Sequence, residues 1–162
     1  MKTFKATVLL FLITALISPA RAEDNEAIKK ELALFQGEWT MVSGSANGQD
    51  MPEDMRKEMK RICKGDELTV TMSGEVFIKA KITIDPSKKP KTIDYQMTEG
   101  FTKGKTQLGI YEFDGDTLKS CFGSPGAERP TDFTGKPGAG RTLSFWKRVK
   151  PAQPAAGQKP AQ

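Results

Sequence analysis

Apolar and polar side chains alternate most cleanly between residues 67 and 84. Leu68, Val70 and Met72 share one face of the first half, with Thr69 and Thr71 on the other. After Ser73-Gly74, the residues Val76, Ile78, Ala80, Ile82 and Ile84 share a face opposite Lys79, Lys81 and Thr83. A period of two predicts strands over 67–72 and 75–84, joined by a two-residue hairpin turn. The same signal predicts a strand over 39–45, closed by Asn47-Gly48, and one over 92–97 with Ile93, Tyr95 and Met97 turned inward. Strands over 106–113 and 117–122 flank Asp114-Gly115-Asp116, a second hairpin turn, and a last strand covers 142–149. A Pro- and Lys-rich connection spans 85–91, and a long Gly/Pro-rich loop spans 123–140.

Two segments carry the helical period instead. Over 23–35, Ile28, Leu32 and Phe35 fall on one face while Lys29, Lys30 and Glu31 turn away, and Gly37 ends the run. A second short helix is expected after Pro52, with Glu53 and Asp54 at its N-terminus and Arg56, Lys57, Lys60 and Arg61 in its later turns. Met51, Met55 and Met59 recur every fourth residue there, a stripe that suits core packing and equally a lid over a cavity. The predicted fold is mainly β: a short N-terminal helix, one short helix after the first strand, and about seven or eight strands in succession. Long crossover helices between strands are lacking, so a parallel sheet is not expected. Closing an up-and-down antiparallel sheet into a single barrel removes its exposed edges, with an open sandwich as the alternative.

The N-terminus reads as a secretory leader. Lys2 and Lys5 precede an apolar run from Val8 to Ile17, and Ala20-Arg21-Ala22 forms a small-x-small cleavage site. The run stops at Ser18-Pro19, short of the roughly 20 residues a membrane anchor needs. No cysteine stands near the cleavage site to carry a lipid. The expected organisation is a signal peptide over 1–22, one β domain over 23–150, and a flexible Pro/Ala/Gln tail over 151–162. The product is expected to be exported, periplasmic or extracellular, with no membrane span after cleavage. Lys2, Lys5 and Arg21 leave with the leader, which lowers the formal charge from +5 to +2. A balance that small predicts a solvated surface and no nucleic-acid partner.

Histidine is absent, which excludes Ser-His-Asp and Cys-His catalysis and every imidazole metal site. No cofactor is implied. Cys63 and Cys121 are the two cysteines, and in an oxidising compartment either a disulfide between them or two buried thiols fits. Glu112, Asp114 and Asp116 lie close in sequence, but Asp-Gly-Asp is ordinary turn chemistry. The Gly135–Arg141 stretch lacks the Gly-Lys-Ser/Thr ending of a phosphate loop and reads as a mobile loop, and Lys88, Lys89 and Lys91 read as a solvated one.

Gly37-Glu38-Trp39, opening the first strand, resembles the Gly-x-Trp signature of lipocalin-type barrels. That resemblance implies that Trp39 plugs the closed end, with Lys147 or Arg148 of the last strand packed on its ring. Longer motifs extend it: Phe35-Gln36-Gly37-Glu38-Trp39, the run from Asp85 to Asp94 (DPSKKPKTID), the run from Gly109 to Lys119 (GIYEFDGDTLK), and Glu128 to Phe133 (ERPTDF). Together they resemble a lipocalin-like domain found in many copies among planctomycete proteins, whose biochemical function is unassigned. The resemblance covers about residues 34–148. It implies a barrel and a bacterial source, and it brings no catalytic residues. Cys121 sits where that family often has cysteine, whereas Cys63 sits where an aromatic or other apolar residue is more usual.

The expected function is non-enzymatic: a small apolar ligand held inside the barrel. The candidate lining is Leu68 and Val70 from one strand, Ile78, Ala80 and Ile82 from the next, then Ile93, Tyr95 and Leu108. Gly37, Trp39 and Arg148 are the candidate barrel-closing residues. The competing expectation is an envelope or secreted protein-interaction module with a solidly packed barrel, its partner a protein of the envelope. A carboxylate hydrolase is the least favoured of the three.

Overall fold

The computed structural model describes residues 19–150, with side chains from Glu23 onward. The predicted tail and nearly all of the predicted leader lie outside the described residues. Helix α1 (Pro19–Phe35) is followed by β1 (Gly37–Ala46), β2 (Gln49–Asp50) and helix α2 (Glu53–Glu58). Seven strands follow: β3 (Met59–Lys64), β4 (Glu67–Met72), β5 (Glu75–Asp85), β6 (Lys91–Glu99), β7 (Thr106–Asp114), β8 (Thr117–Gly123) and β9 (Arg141–Arg148). From β3 onward each strand pairs antiparallel with the next, and β1 pairs with both β3 and β9. The result is a closed eight-stranded antiparallel barrel of lipocalin-like type, with β2 as an extra strand on the far half of β1. Closure leaves the eight strands no free edge, which is the physical advantage of this arrangement.

Turn chemistry sets the register of the hairpins. Asn47 and Gly48 have φ of 50° and 80°, and Ser73 and Gly74 have 53° and 85°. Positive φ at both central residues matches the twist of the flanking strands, and glycine or asparagine adopts it at least cost.

The closed end is packed solid. Phe35, the last residue of α1, is fully buried with its ring centroid 4.9 Å from that of Tyr111 and 4.8 Å from that of Phe113, both edge-on. Trp39, Leu68, Ala80, Ile82, Ile93 and Leu118 complete this part of the core. The helix thus acts as a plug through one aromatic side chain, while Ile28 remains at the surface.

Three expectations about the second helix and the strands need correction, and the cysteine state left open by the sequence is settled as well. The second helix stops at Glu58, and Met59, Lys60 and Arg61, expected in its later turns, instead open a strand over 59–64. Met59, Arg61 and Cys63 are buried while Lys60 and Lys64 are exposed, so the period is two, with an arginine in an inward position. The stripe divides accordingly: Met59 is core, Met51 is partly buried against it, and Met55 is exposed. In β5 an irregularity opposite Val70/Thr71 turns Val76 out to solvent and Phe77 towards the interior.

Leu108 is not interior. Tyr111 and Phe113 of β7 belong to the core, so Leu108 and Ile110 lie on the outer face by alternation. Finally, both cysteines are free thiols. Cys63 points into the barrel core, whereas Cys121 lies between the cavity-lining Ser120 and Phe122 and so points outward. Opposite faces of the barrel wall keep their sulfurs apart.

The loop over 123–140 is tied down rather than loose. Arg129 Nη1 donates to the carbonyl of Gly109 at 2.7 Å and pairs with Asp94 at 2.6 Å. Arg141 pairs with Asp132 at 2.9 Å, and the Gly140 amide donates to Asn47 Oδ1 at 3.1 Å. The loop therefore covers the outer face of β6 and β7, where Pro130 is fully buried.

Candidate functional site

The two ends of the barrel differ. At the closed end, Trp39 Nε1 donates to the Phe35 carbonyl at 2.9 Å. The Arg148 guanidinium lies 4.1 Å from the centre of the Trp39 ring, donating to the carbonyls of Gln36 and Leu34 at 2.6 Å each. Gly37, with φ of 98°, makes the turn from helix to strand that brings these groups together. So Gly37, Trp39 and Arg148 meet at one end, and Arg148 rather than Lys147 covers the indole.

The other end holds a cavity of about 290 Å³, at the lower limit of ordinary ligand sites. Phe77, Phe101 and Pro125 are among its lining residues, and Phe101 is almost wholly solvent-exposed at 95%. Deeper lining comes from Met41, Met59, Val70, Ile78, Phe122 and Trp146. Of the eight residues read as ligand-lining, the structure places Val70, Ile78 and Tyr95 at the cavity. Leu68, Ala80, Ile82 and Ile93 sit in the packed core, and Leu108 is outside. Solid packing thus describes the closed half of the barrel and not the half around the cavity.

Polar groups in the wall are few and specific. Ser120 and Ser144 are buried, with hydroxyl oxygens 2.9 Å apart, and Trp146 Nε1 donates to Ser144 Oγ at 3.0 Å. Gln107 Nε2 donates to the Gly123 carbonyl at 3.2 Å. Burial pushes the Tyr95 phenol upward, with the Arg61 charge opposing it in part, so the phenol is neutral at physiological pH and keeps its proton to donate. Burial also raises the Cys63 thiol and keeps it protonated.

The most unusual member is Arg61, which the sequence predicts in the later turns of the second helix. It is 1% exposed on β3, and its Nε and Nη2 atoms have no hydrogen-bond partner. Its guanidinium carbon lies 5.6 Å from the Phe35 ring centre and 6.0 Å from those of Tyr95 and Trp146. Among the described residues no carboxylate forms an ion pair with it. The signal that could have found it was the Met59-x-Arg61-x-Cys63 alternation, obscured because three other basic residues surround Arg61 in sequence.

Two of the three carboxylates singled out in the sequence are paired at the surface. Glu112 pairs with Lys119 at 3.2 Å on the outer face, and Asp116 pairs with Lys150 at 3.0 Å. Lys88 lies 3.8 Å from Asp85, and Lys91 reaches Glu31 at 2.6 Å. Among the described residues, no group of three or more potential ligands is placed to hold a metal ion. No helix among them is long and apolar enough to cross a membrane.

Comparison with family models, with curated proteins and with solved structures returned no match to this chain. The arrangement inside the barrel therefore has to speak for the function.

Proposed function

We propose that this chain is an exported, non-enzymatic binding module that holds a small apolar ligand in the open half of its lipocalin-like barrel. The observation that carries the reading is the cavity of about 290 Å³ walled by methionine, aliphatic and aromatic side chains and rimmed by Phe101. A solid barrel would fill that space, since interiors normally pack with few voids larger than a water. Export is supported by the basic, apolar and small-residue order of residues 1–22. The family motifs support a bacterial, planctomycete-type member.

Two experiments test it. Native mass spectrometry of the secreted protein, whose N-terminus is expected to be Glu23, should find a retained small molecule, or a thermal-shift panel of apolar compounds should raise Tm. V70F, which fills the cavity from β4, should abolish that shift while leaving the fold intact by circular dichroism. A chain with no retained molecule and no shift from any apolar compound is not a binding module of this kind.

A further inference from the structure

Arg61 is held in the barrel at a cost that the described residues offset only in part. A guanidinium keeps its charge in proteins, and removing an ion from water costs several kcal/mol unless it is paired and hydrogen-bonded. Here two of its nitrogens lack any partner, and the ring faces of Phe35, Tyr95 and Trp146, at 5.6–6.0 Å, return only part of that cost. A side chain serving the fold alone would be replaced there by an apolar one with no loss.

The position of the group gives it a use. Arg61 pairs in register with Val70 of β4 and Trp39 of β1, midway between the packed end and the open end, and it lines the cavity. Its charge therefore lies at the inner limit of an otherwise apolar chamber. Tyr95, Ser120 and Ser144, neutral polar residues of the same chamber, can also donate to an acceptor.

We infer that the ligand is an anionic amphiphile, a monocarboxylate with an apolar body. Its head group enters first and pairs with the Arg61 guanidinium, and its apolar part lies along Val70, Ile78 and Phe122 towards Phe77 and Phe101. The planar donor fork of arginine matches a carboxylate, and the low-dielectric wall strengthens the pair. This assignment rests on the proposed ligand-binding role of the cavity and names the chemistry that role requires.

Decanoate and its neutral counterpart decanol serve as probes, measured by isothermal titration calorimetry on the secreted protein. The parent should bind decanoate about tenfold or more tightly than decanol, the margin expected for a charge-assisted hydrogen bond. R61M should lose that preference and bind the two alike, and R61K should keep part of it. R61M should also be at least as stable as the parent without ligand, since it removes an unpaired buried charge. Equal binding of decanoate and decanol by the parent overturns the anionic assignment and leaves the cavity reading standing. An unchanged preference in R61M, whether or not its stability falls, also overturns the role of Arg61. Binding of neither probe overturns this assignment and, with a blank thermal-shift panel, the cavity reading too.

Discussion

Arg148 covers Trp39 and at the same time caps the helix that precedes it. The guanidinium is 4.1 Å from the indole ring centre, and its two terminal nitrogens each donate at 2.6 Å to carbonyls in the chain leaving α1, at Leu34 and Gln36. One side chain from the last strand thereby joins the first strand, the helix end and the barrel closure. Orphan carbonyls at a helix C-terminus favour such a cation.

Replacing Arg148 should consequently cost more than a surface charge normally does. R148M is expected to lose about 2–4 kcal/mol in urea unfolding, from two charge-assisted hydrogen bonds and one cation–π contact. R148K should recover only a minor part, because an ammonium cannot lie flat on the indole and donate to both carbonyls. A loss within error of zero would show that the closure does not depend on this contact.

Exposure to oxidant or reductant should change little. The two thiols face opposite sides of the wall, so the intact protein should show two free thiols by mass spectrometry without reduction. Burial raises both above the ordinary thiol range, leaving little thiolate at neutral pH. Alkylation should be slow in the native protein and fast in denaturant. Reductant should leave Tm unchanged, and a drop would reveal a bridge after all.

Gly109 on β7 leaves room for Phe122. A Cβ at this position would overlap the Phe122 ring, which stacks on Tyr95 with centroids 4.1 Å apart beside the cavity. G109A is expected to cost about 1–3 kcal/mol by overpacking. The G109A/F122L pair should be less destabilised than the sum of the single variants, which a double-mutant cycle measures directly. Additive effects would mean that the two residues do not compete for the same space.

Acid should loosen the loop over the outer face. The Thr134 hydroxyl and backbone amide, followed by Arg141, hold the Asp132 carboxyl below its ordinary 3.8. Because the folded-state value is depressed, this contribution is complete above the unfolded value and is lost as pH falls through the folded one. Stability measured between pH 5 and pH 2 should therefore fall more gently in D132N than in the parent. Asp85 and Asp116, which are depressed in the same direction, keep part of the slope in D132N. Parallel acid limbs for the two proteins would exclude the Asp132 contribution.

The barrel was legible in the sequence wherever one face of a strand is apolar and a turn is built from glycine, asparagine or serine. That holds for β4 with β5 and for β7 with β8, whose turns predict the observed hairpins, although the irregularity in β5 shifts the pairing by one residue beyond Thr71. The closing contact of Trp39 with Arg148 of the last strand was also foreseeable. Apart from Leu108, which faces outward, the candidate lining was legible as interior but not as cavity. Leu68 and Val70 have the same pattern and the same face, yet Leu68 is packed core and Val70 borders open space. Depth along the barrel axis leaves no mark on a period of two.

What the sequence determined by itself was local: most helix and strand periods, turn geometry, and the absence of imidazole chemistry. Those follow from side-chain alternation, from backbone preferences and from residue types, which neighbours in sequence suffice to set. Tertiary structure alone decided which half of the barrel is empty, which face each cysteine takes, and that Arg61 is interior. These depend on strands brought together across the barrel. Phe35, Tyr95 and Trp146 surround Arg61 from three distant parts of the chain, and nothing in the run of basic residues around it announces that environment.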